Sequence, residues 1–154
     1  MTSSTEMMDH NKRIVHRFMD ECWNMGKLDR LPELVAGHCR YHDPVFPQMR
    51  AGVENLQSHI ERCRRAFPDL KFTIVDTIAE RDEVVLHWTV EGTQKDEFLG
   101  IPATNQKALV AGTSIYRLED GKIAENWSHW DLMSLMKQLG VKTMMTEREH
   151  VGWE

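Results

Sequence analysis

The stretch from Lys107 to Leu139, KALVAGTSIYRLEDGKIAENWSHWDLMSLMKQL, decides the fold of this chain. Asp120-Gly121 stands between two segments that alternate apolar and polar residues, which is a strong signal for a β-hairpin. Beyond the second segment the apolar period changes to that of a helix. The stretch therefore predicts a strand, a tight turn, a second strand and a helix over 132–139, ended by Gly140.

The end of the second predicted strand concentrates the reactive side chains. Because side chains alternate along a strand, Trp127, His129 and Asp131 share one face. An imidazole and a carboxylate beside an indole form a candidate pocket floor, and they are equally compatible with a structural role. In the structural alternative Asp131 caps the first turn of the following helix, whereas a catalytic role requires apolar surroundings such as Trp127 and Trp130.

The register of the hairpin has two alternatives. With a two-residue loop, Ser114 lies opposite Trp127. With a bulged turn, Thr113 takes that place and Arg117 joins the face of Trp127. The turn sequence Glu-Asp-Gly-Lys favours the bulged form slightly.

Three segments before the hairpin have helical periodicity. Apolar residues recur at helical spacing over 9–25, 29–36 and 53–66, and Asp9 is the candidate N-cap of the first helix. We expect His59, at the edge of the third apolar stripe, to be partly exposed.

Between the third helix and the hairpin the period changes to two. This alternation predicts strands over about 70–78 and 84–93. The loop at 95–106 contains several apolar residues that need cover, which makes it a candidate cavity rim. Helices followed by a run of strands predict an α+β fold with helices on one face of a curved sheet.

Composition limits the class of protein. A chain of 154 residues with net charge -5 predicts one domain and no nucleic-acid partner. The 3 cysteines contain no Cys-x-x-Cys pair and no apolar run is long enough for a membrane span, so we predict a cytoplasmic protein with reduced thiols. We expect a single domain over 8–141, with flexible or partner-docking tails at 1–7 and 142–154.

The histidines favour structural roles when they are considered one at a time. None of the 8 histidines has the spacing of a known zinc site, so we predict no metal. His42 and His129 each resemble core or interface histidines more than catalysts. Arg117 is either a surface residue or a donor to the pocket.

Several segments spread over about 8–140 carry a family pattern. They are Phe18 through Trp23-Asn24 and Gly26; Tyr41-His42-Asp43-Pro44; Ala66-Phe67-Pro68-Asp69-Leu70; Val90-Glu91-Gly92-Thr93; Glu97-Phe98-Leu99-Gly100-Ile101-Pro102 with Thr104; Gly112-Thr113-Ser114; and Glu119-Asp120-Gly121-Lys122-Ile123 with Glu125, Trp127, Trp130 and Asp131. With this pattern the chain resembles the SnoaL-like polyketide cyclase (ester cyclase) family of the nuclear transport factor 2-like superfamily. The resemblance implies a cone-shaped, curved antiparallel sheet with three N-terminal helices over its concave face and a C-terminal helix.

The resemblance also implies an activity and a site. Asp131 matches a general base that removes a proton alpha to a carbonyl, after which the enolate closes a ring by aldol attack without metal or cofactor. His129 or His42 would donate to the developing oxyanion. The substrate would be an apolar or carbonyl-bearing small molecule, in a pocket lined by Phe18, Tyr41, His42, His59, Thr113, Arg117 and Trp127.

The resemblance further implies a homodimer formed through the outer face of the sheet, with Val110, Tyr116 and Trp130 exposed on it. The chain departs from the family pattern at Gln94, where a His is usual, and at Asp96, where a Gly is usual. Two other functions stay open on this scaffold: a non-catalytic protein that binds a small molecule, and a hydrolase or isomerase.

Overall fold

A curved sheet of five strands with helices against its inner face makes up the computed structural model, which describes residues 3–142. The helices are α1 (Ser4–Arg17), which continues as a π-helical segment (Phe18–Asn24), then α2 (Leu31–Leu34) after a 3-10 turn (Leu28–Arg30), α3 (Val53–Ala66) and α4 (Leu132–Gln138). The strands are β1 (Val35–His42), β2 (Lys71–Glu80), β3 (Glu83–Thr93), β4 (Lys107–Glu119) and β5 (Lys122–Trp130). The α+β class is confirmed.

The sheet is mixed rather than wholly antiparallel. Its strand order is β1-β5-β4-β3-β2, and β1 runs parallel to β5, whereas the other neighbours are antiparallel. Tight turns make β2–β3 and β4–β5 antiparallel hairpins, and the loop over 94–106 joins β3 to its antiparallel neighbour β4. In contrast, β1 reaches β5 through most of the chain and is free to pair in either direction. The predicted helix over 29–36 ends earlier than expected, at Leu34, because Val35 is already the first residue of β1.

A type I′ turn joins β4 to β5. Asp120 and Gly121 both have positive φ, 50° and 76°, and Glu119 pairs with Lys122 on either side of them. The register then shifts by one residue, since Leu118 pairs with Ile123 but Arg117 pairs with Glu125. Ala124 is therefore an extra residue, a β-bulge that the tight turn does not reveal.

This bulge decides which side chains of β5 face the helices. Ile115, rather than Ser114 or Thr113, lies opposite Trp127. Arg117 shares the outer face with Trp127, as the bulged alternative predicts, but that face points away from the helices.

Beyond the bulge, the inner face of β5 carries Asn126, Ser128 and Trp130. In the register they lie beside Tyr116, Ser114 and Gly112 of β4. Asn126 and Ser128 are buried, whereas His129 is exposed.

The chain begins its first helix earlier than predicted. Ser3, not Asp9, is the N-cap, because its hydroxyl accepts a hydrogen bond from Glu6 N at 3.1 Å and the Glu6 carboxylate accepts one from Ser3 N at 3.4 Å. This capping box extends α1 into the segment predicted to be a flexible tail. The other predicted tail lies outside the described residues beyond residue 142.

The core fills the space between the helices and the inner face of the sheet. Its fully buried members include Val15, Leu34, Ile60, Leu86 and Tyr116. The cysteines Cys22, Cys39 and Cys63 are buried and unpaired. Along residues 3–142, no helix combines the length and the apolar composition needed to cross a membrane.

The residues expected on a dimer face lie elsewhere. Val110 and Tyr116 are 6% and 2% exposed and point into the core, because the even-numbered residues of β4 occupy its inner face. The prediction that they are exposed on the outer face is therefore wrong.

Candidate functional site

An interior cavity lies between the sheet and the segment from α1 to α3. The centre of a water molecule can reach about 110 Å³ of it. A single buried water needs about 10–15 Å³ on this measure, so the cavity has room for a small ligand. Its walls are mainly apolar and aromatic, with Met19, Trp23, Phe67, Leu70, Phe72, Trp88, Val90, Phe98, Val110 and Leu135 among them.

A buried carboxylate stands on the wall of this cavity. Asp43 directly follows β1 and is only 5% exposed. Its Oδ2 accepts hydrogen bonds from the Tyr41 hydroxyl at 3.2 Å and from Trp130 Nε1 at 2.9 Å, and its Oδ1 accepts one from Val45 N at 2.9 Å. These donors hold the carboxylate in place and compensate the loss of water around it.

Tyr41, the last inward residue of β1, also lines the cavity. Burial, followed by the nearby charge of Asp43, raises the pKa of the Tyr41 hydroxyl well above its ordinary value. The phenol therefore stays protonated and acts as a hydrogen-bond donor at neutral pH.

His59, on α3, is a histidine that lines the cavity. It is 3% exposed, and its ring lies 4.6 Å from that of Phe46, 5.2 Å from that of Tyr41 and 5.8 Å from that of Trp23, between centroids. Burial, with a smaller effect of Arg62, lowers the pKa of His59 to about 4, so the imidazole is neutral at pH 7.

The expectation that His59 would be partly exposed is wrong. It stands three residues after Leu56 and four before Cys63, and this spacing puts it on the buried stripe of α3 rather than beside it. The same stripe places Cys63 in the cavity lining, where burial raises the pKa of its thiol to about 12.

A chain of polar side chains crosses the sheet beneath the cavity. Trp88 Nε1 donates to Ser114 Oγ at 2.9 Å, Ser114 Oγ and Ser128 Oγ are 2.7 Å apart, and Ser128 Oγ donates to Asn126 Oδ1 at 2.9 Å. Each of these buried groups is therefore satisfied inside the protein, which makes the floor of the cavity rigid.

The loop predicted to form a rim does supply one. Phe98 lines the cavity and packs edge-to-face on Phe67, with ring centroids 5.3 Å apart. Gln94, which is fully buried, holds this loop, because its Nε2 donates to Ile101 O at 2.9 Å and its Oε1 accepts from Thr104 Oγ1 at 2.8 Å. The departure from the family pattern at Gln94 thus has a structural role.

Of the site residues predicted from the sequence, Tyr41 and His59 line the cavity. Phe18 lies behind it in the core, with its ring centroid 6.1 Å from that of Tyr116. The structure does not bring the other predicted residues to this cavity.

The predicted base, Asp131, lies at a helix terminus. Its side chain accepts a hydrogen bond from Ser134 N at 2.9 Å, so it is the N-cap of α4, and it is exposed. The structure therefore favours the capping alternative and corrects the assignment of Asp131 to the pocket floor.

The remaining predicted residues lie on the outer face of the sheet. His42 Nε2 is 2.6 Å from Glu125 Oε2, and the His42 ring stacks on Trp127 with centroids 5.3 Å apart. His129 and Thr113 are exposed neighbours in the register, and Arg117 forms ion pairs with Glu119 and Glu125. The bulge at Ala124 exchanges the two faces of β5 and so explains the outward positions of Trp127 and His129. Thr113 and Arg117 lie outside because the even-numbered residues of β4 occupy its inner face.

Sequence reasoning missed Asp43, Ser114, Asn126, Ser128 and Trp130 as cavity residues. Alternation along β4 marked Ser114 as a residue of the apolar inner face. No local pattern signals that Asp43 is buried, because one of its donors, Trp130, is 87 residues away in the sequence.

Comparison with known proteins identifies a family that matches this chain. The profile of the SnoaL-like polyketide cyclase family matches residues 13–139. No curated protein matches the chain.

Solved structures are similar over nearly their whole length. TsrD from Streptomyces laurentii is 28% identical, with 87% of this chain and 97% of TsrD covered and a TM-score of 0.79. A protein of Jannaschia sp. CCS1, named provisionally as a SnoaL-like polyketide cyclase, is 25% identical, with 89% and 96% covered and a TM-score of 0.82. Wild-type IdmH from Streptomyces antibioticus, named provisionally as a polyketide cyclase, is 27% identical, with 85% and 99% covered and a TM-score of 0.74.

Proposed function

Because the chain belongs to the SnoaL-like polyketide cyclase family, we propose that it is a cofactor-independent, cyclase-like enzyme. Its substrate is an apolar, carbonyl-bearing small molecule that binds in the interior cavity. The observation that carries this proposal is the buried carboxylate of Asp43 on the wall of an otherwise aromatic and apolar cavity. Such a group is available as a base in surroundings that exclude water.

In the proposed reaction Asp43 removes a proton alpha to a substrate carbonyl. The resulting enolate carbon attacks a second carbonyl carbon of the same molecule and forms a carbon–carbon bond. The alkoxide formed in this step then takes the proton back from Asp43. The sequence is redox-neutral and returns the enzyme to its starting state.

Tyr41 is the proposed donor to the enolate oxygen. Its raised pKa supports a neutral hydroxyl, which now donates to Asp43 at 3.2 Å. Once Asp43 carries the substrate proton, its need for this donor falls, and the hydroxyl can turn to the developing oxyanion. Neutral His59 contributes a flat wall beside Tyr41 rather than a positive charge.

Two matched substitutions test the identity of the base. Asp43→Asn should lower turnover by about 10²-fold or more, the range for a lost general base. Asp131→Asn, the same chemical change at the position implied by the resemblance, should leave turnover within about threefold, because Asn is also a good N-cap. Loss of turnover in Asp131→Asn with activity retained in Asp43→Asn would assign the base to Asp131 instead.

Exchange of hydrogen for deuterium alpha to the carbonyl is a suitable readout. An aryl β-keto ester in D₂O reports proton removal by proton NMR, without requiring that ring closure be observed. Exchange above the buffer rate that disappears in Asp43→Asn supports the proposal. Exchange at the buffer rate with the wild-type protein contradicts it.

A non-catalytic ligand-binding protein is the second candidate function. One observation favours it: among residues 3–142, no buried side-chain nitrogen or oxygen lacks a hydrogen-bond partner. A cavity whose polar groups are already paired is suited to holding an apolar ligand. This function predicts that the β-keto ester binds to the wild-type protein with no accelerated exchange.

A further inference from the structure

A second concave surface lies on the other side of the cavity wall. Tyr41, Asp43 and Phe46 line both the interior cavity and an open groove that the chain forms after β1. The centre of a water molecule can reach about 400 Å³ of this outer groove. The outer groove is therefore large enough for a ring system and adjoins the proposed site.

The outer groove has a flat aromatic wall. The rings of His42 and Trp127 are stacked, with an interplanar angle of 16°. Glu125 holds His42 in this orientation, because its Oε2 lies 2.6 Å from His42 Nε2. Such a stacked pair offers an aromatic ligand a surface whose orientation is already set.

Two basic side chains of the outer groove are exposed and unpaired within the described part of the chain. Arg40 and His129 line it and are exposed, and neither side chain has a hydrogen-bond or ion-pair partner within residues 3–142. The carboxylate that also lines it, Asp43, already accepts hydrogen bonds from Tyr41, Trp130 and Val45. The Arg40 guanidinium, which is permanently charged, therefore lines the groove without an ion pair from this part of the chain and is available to a ligand carboxylate.

We propose that the outer groove binds the carboxylate of an aromatic acid, with Arg40 and His129 as donors to the carboxylate and the His42–Trp127 pair as the stacking surface. Only one part of the inference rests on the proposed function, namely the identification of this ligand with the substrate. In that case the substrate carries an aromatic acid group in addition to the part that the interior cavity binds. Binding to the outer groove itself does not depend on catalysis.

Binding of 2-naphthoate, compared with its neutral isostere 2-naphthamide, tests the proposal. Titration of the full chain is followed by the tryptophan indole N–H signals in NMR spectra, with Trp127→Phe identifying the Trp127 signal. We expect 2-naphthoate to move the Trp127 signal. Arg40→Gln should weaken its binding about fivefold, as for an exposed ion pair.

Arg65→Gln is the matched control, because Arg65 is an exposed arginine of α3 that does not line the outer groove. It should leave binding of both probes unchanged, and Arg40→Gln should leave binding of 2-naphthamide unchanged.

Three results would overturn the proposal. They are a Trp127 signal that does not respond to 2-naphthoate, equal affinity of the wild type and Arg40→Gln for 2-naphthoate, and an equal loss for the acid and the amide. Since no turnover is measured, a protein that fails the deuterium-exchange assay still gives a decisive answer here.

Discussion

Gly112 has no side chain, and the space that a side chain would fill is occupied by the Trp88 indole in the floor of the cavity. It lies in β4 between Trp88 of β3 and Trp130 of β5. A Cβ at this position would overlap Cζ2 and Cη2 of the Trp88 indole and lie 2.9 Å from the Trp130 Cβ. Gly112→Ala must therefore displace Trp88, since the neighbouring backbone belongs to the centre of the sheet.

The cost of Gly112→Ala has two parts. Overpacking of a core costs about 1–3 kcal/mol. Displacement of the indole also breaks the hydrogen bond from Trp88 Nε1 to Ser114, and a buried unpaired donor costs about 1–3 kcal/mol. Replacing glycine also lowers the conformational entropy of the unfolded chain, which stabilises the fold by about 0.4–1 kcal/mol. We expect a net loss of about 3 kcal/mol, or about 6–12 °C in Tm for a chain of this size.

Urea unfolding followed by far-ultraviolet circular dichroism, at one fixed protein concentration, measures this loss. Gly37→Ala is the control, because Gly37 also lies in a strand without a positive φ but has no atom within 4 Å of an added Cβ. It should be neutral or stabilising by up to about 1 kcal/mol. If Gly112→Ala matches the wild type or Gly37→Ala within about 0.5 kcal/mol, the packing assigned to Trp88 is wrong.

Two further predictions concern His59 and Gln94. The pKa of His59 is about 4 in the folded protein, against an ordinary value of 6.5, so the unfolded chain binds more protons between these two pH values. The contribution of His59 to stability is therefore complete above pH 6.5 and is lost as the pH falls towards 4. Between pH 7 and pH 5 the wild type should lose about 2 kcal/mol more than His59→Gln in urea titrations, and parallel pH profiles would contradict this. Gln94→Leu should lower stability by about 3 kcal/mol and speed amide exchange over 95–104, because it leaves the partly buried partners of the side chain, on Ile101 and Thr104, unpaired. Unchanged exchange would show that the loop does not depend on Gln94.

The sequence predicted element types well where local chemistry is strong. The Asp120-Gly121 turn, the helix over 53–66 and the change to a period of two after Leu70 all have local causes, and the structure confirms each of them. The family resemblance is confirmed as well. The start of α1 is an instance of a local signal that was missed, since the capping box of Ser3 and Glu6 is visible in the sequence.

The site depended on facts that no local pattern contains. A strand has a period of two, so one extra residue at Ala124 exchanges the faces of everything that follows it. The bulge moved Asn126 and Ser128 to the cavity side and His129 to the outside.

The sequence by itself thus determined the kinds of element, their order and the family. The tertiary structure alone decided that Asp43 is buried and Asp131 is not, because burial of a carboxylate depends on the donors that surround it. For Asp43 those donors include Tyr41 and Trp130, on the parallel strands β1 and β5, which only the folded sheet brings together.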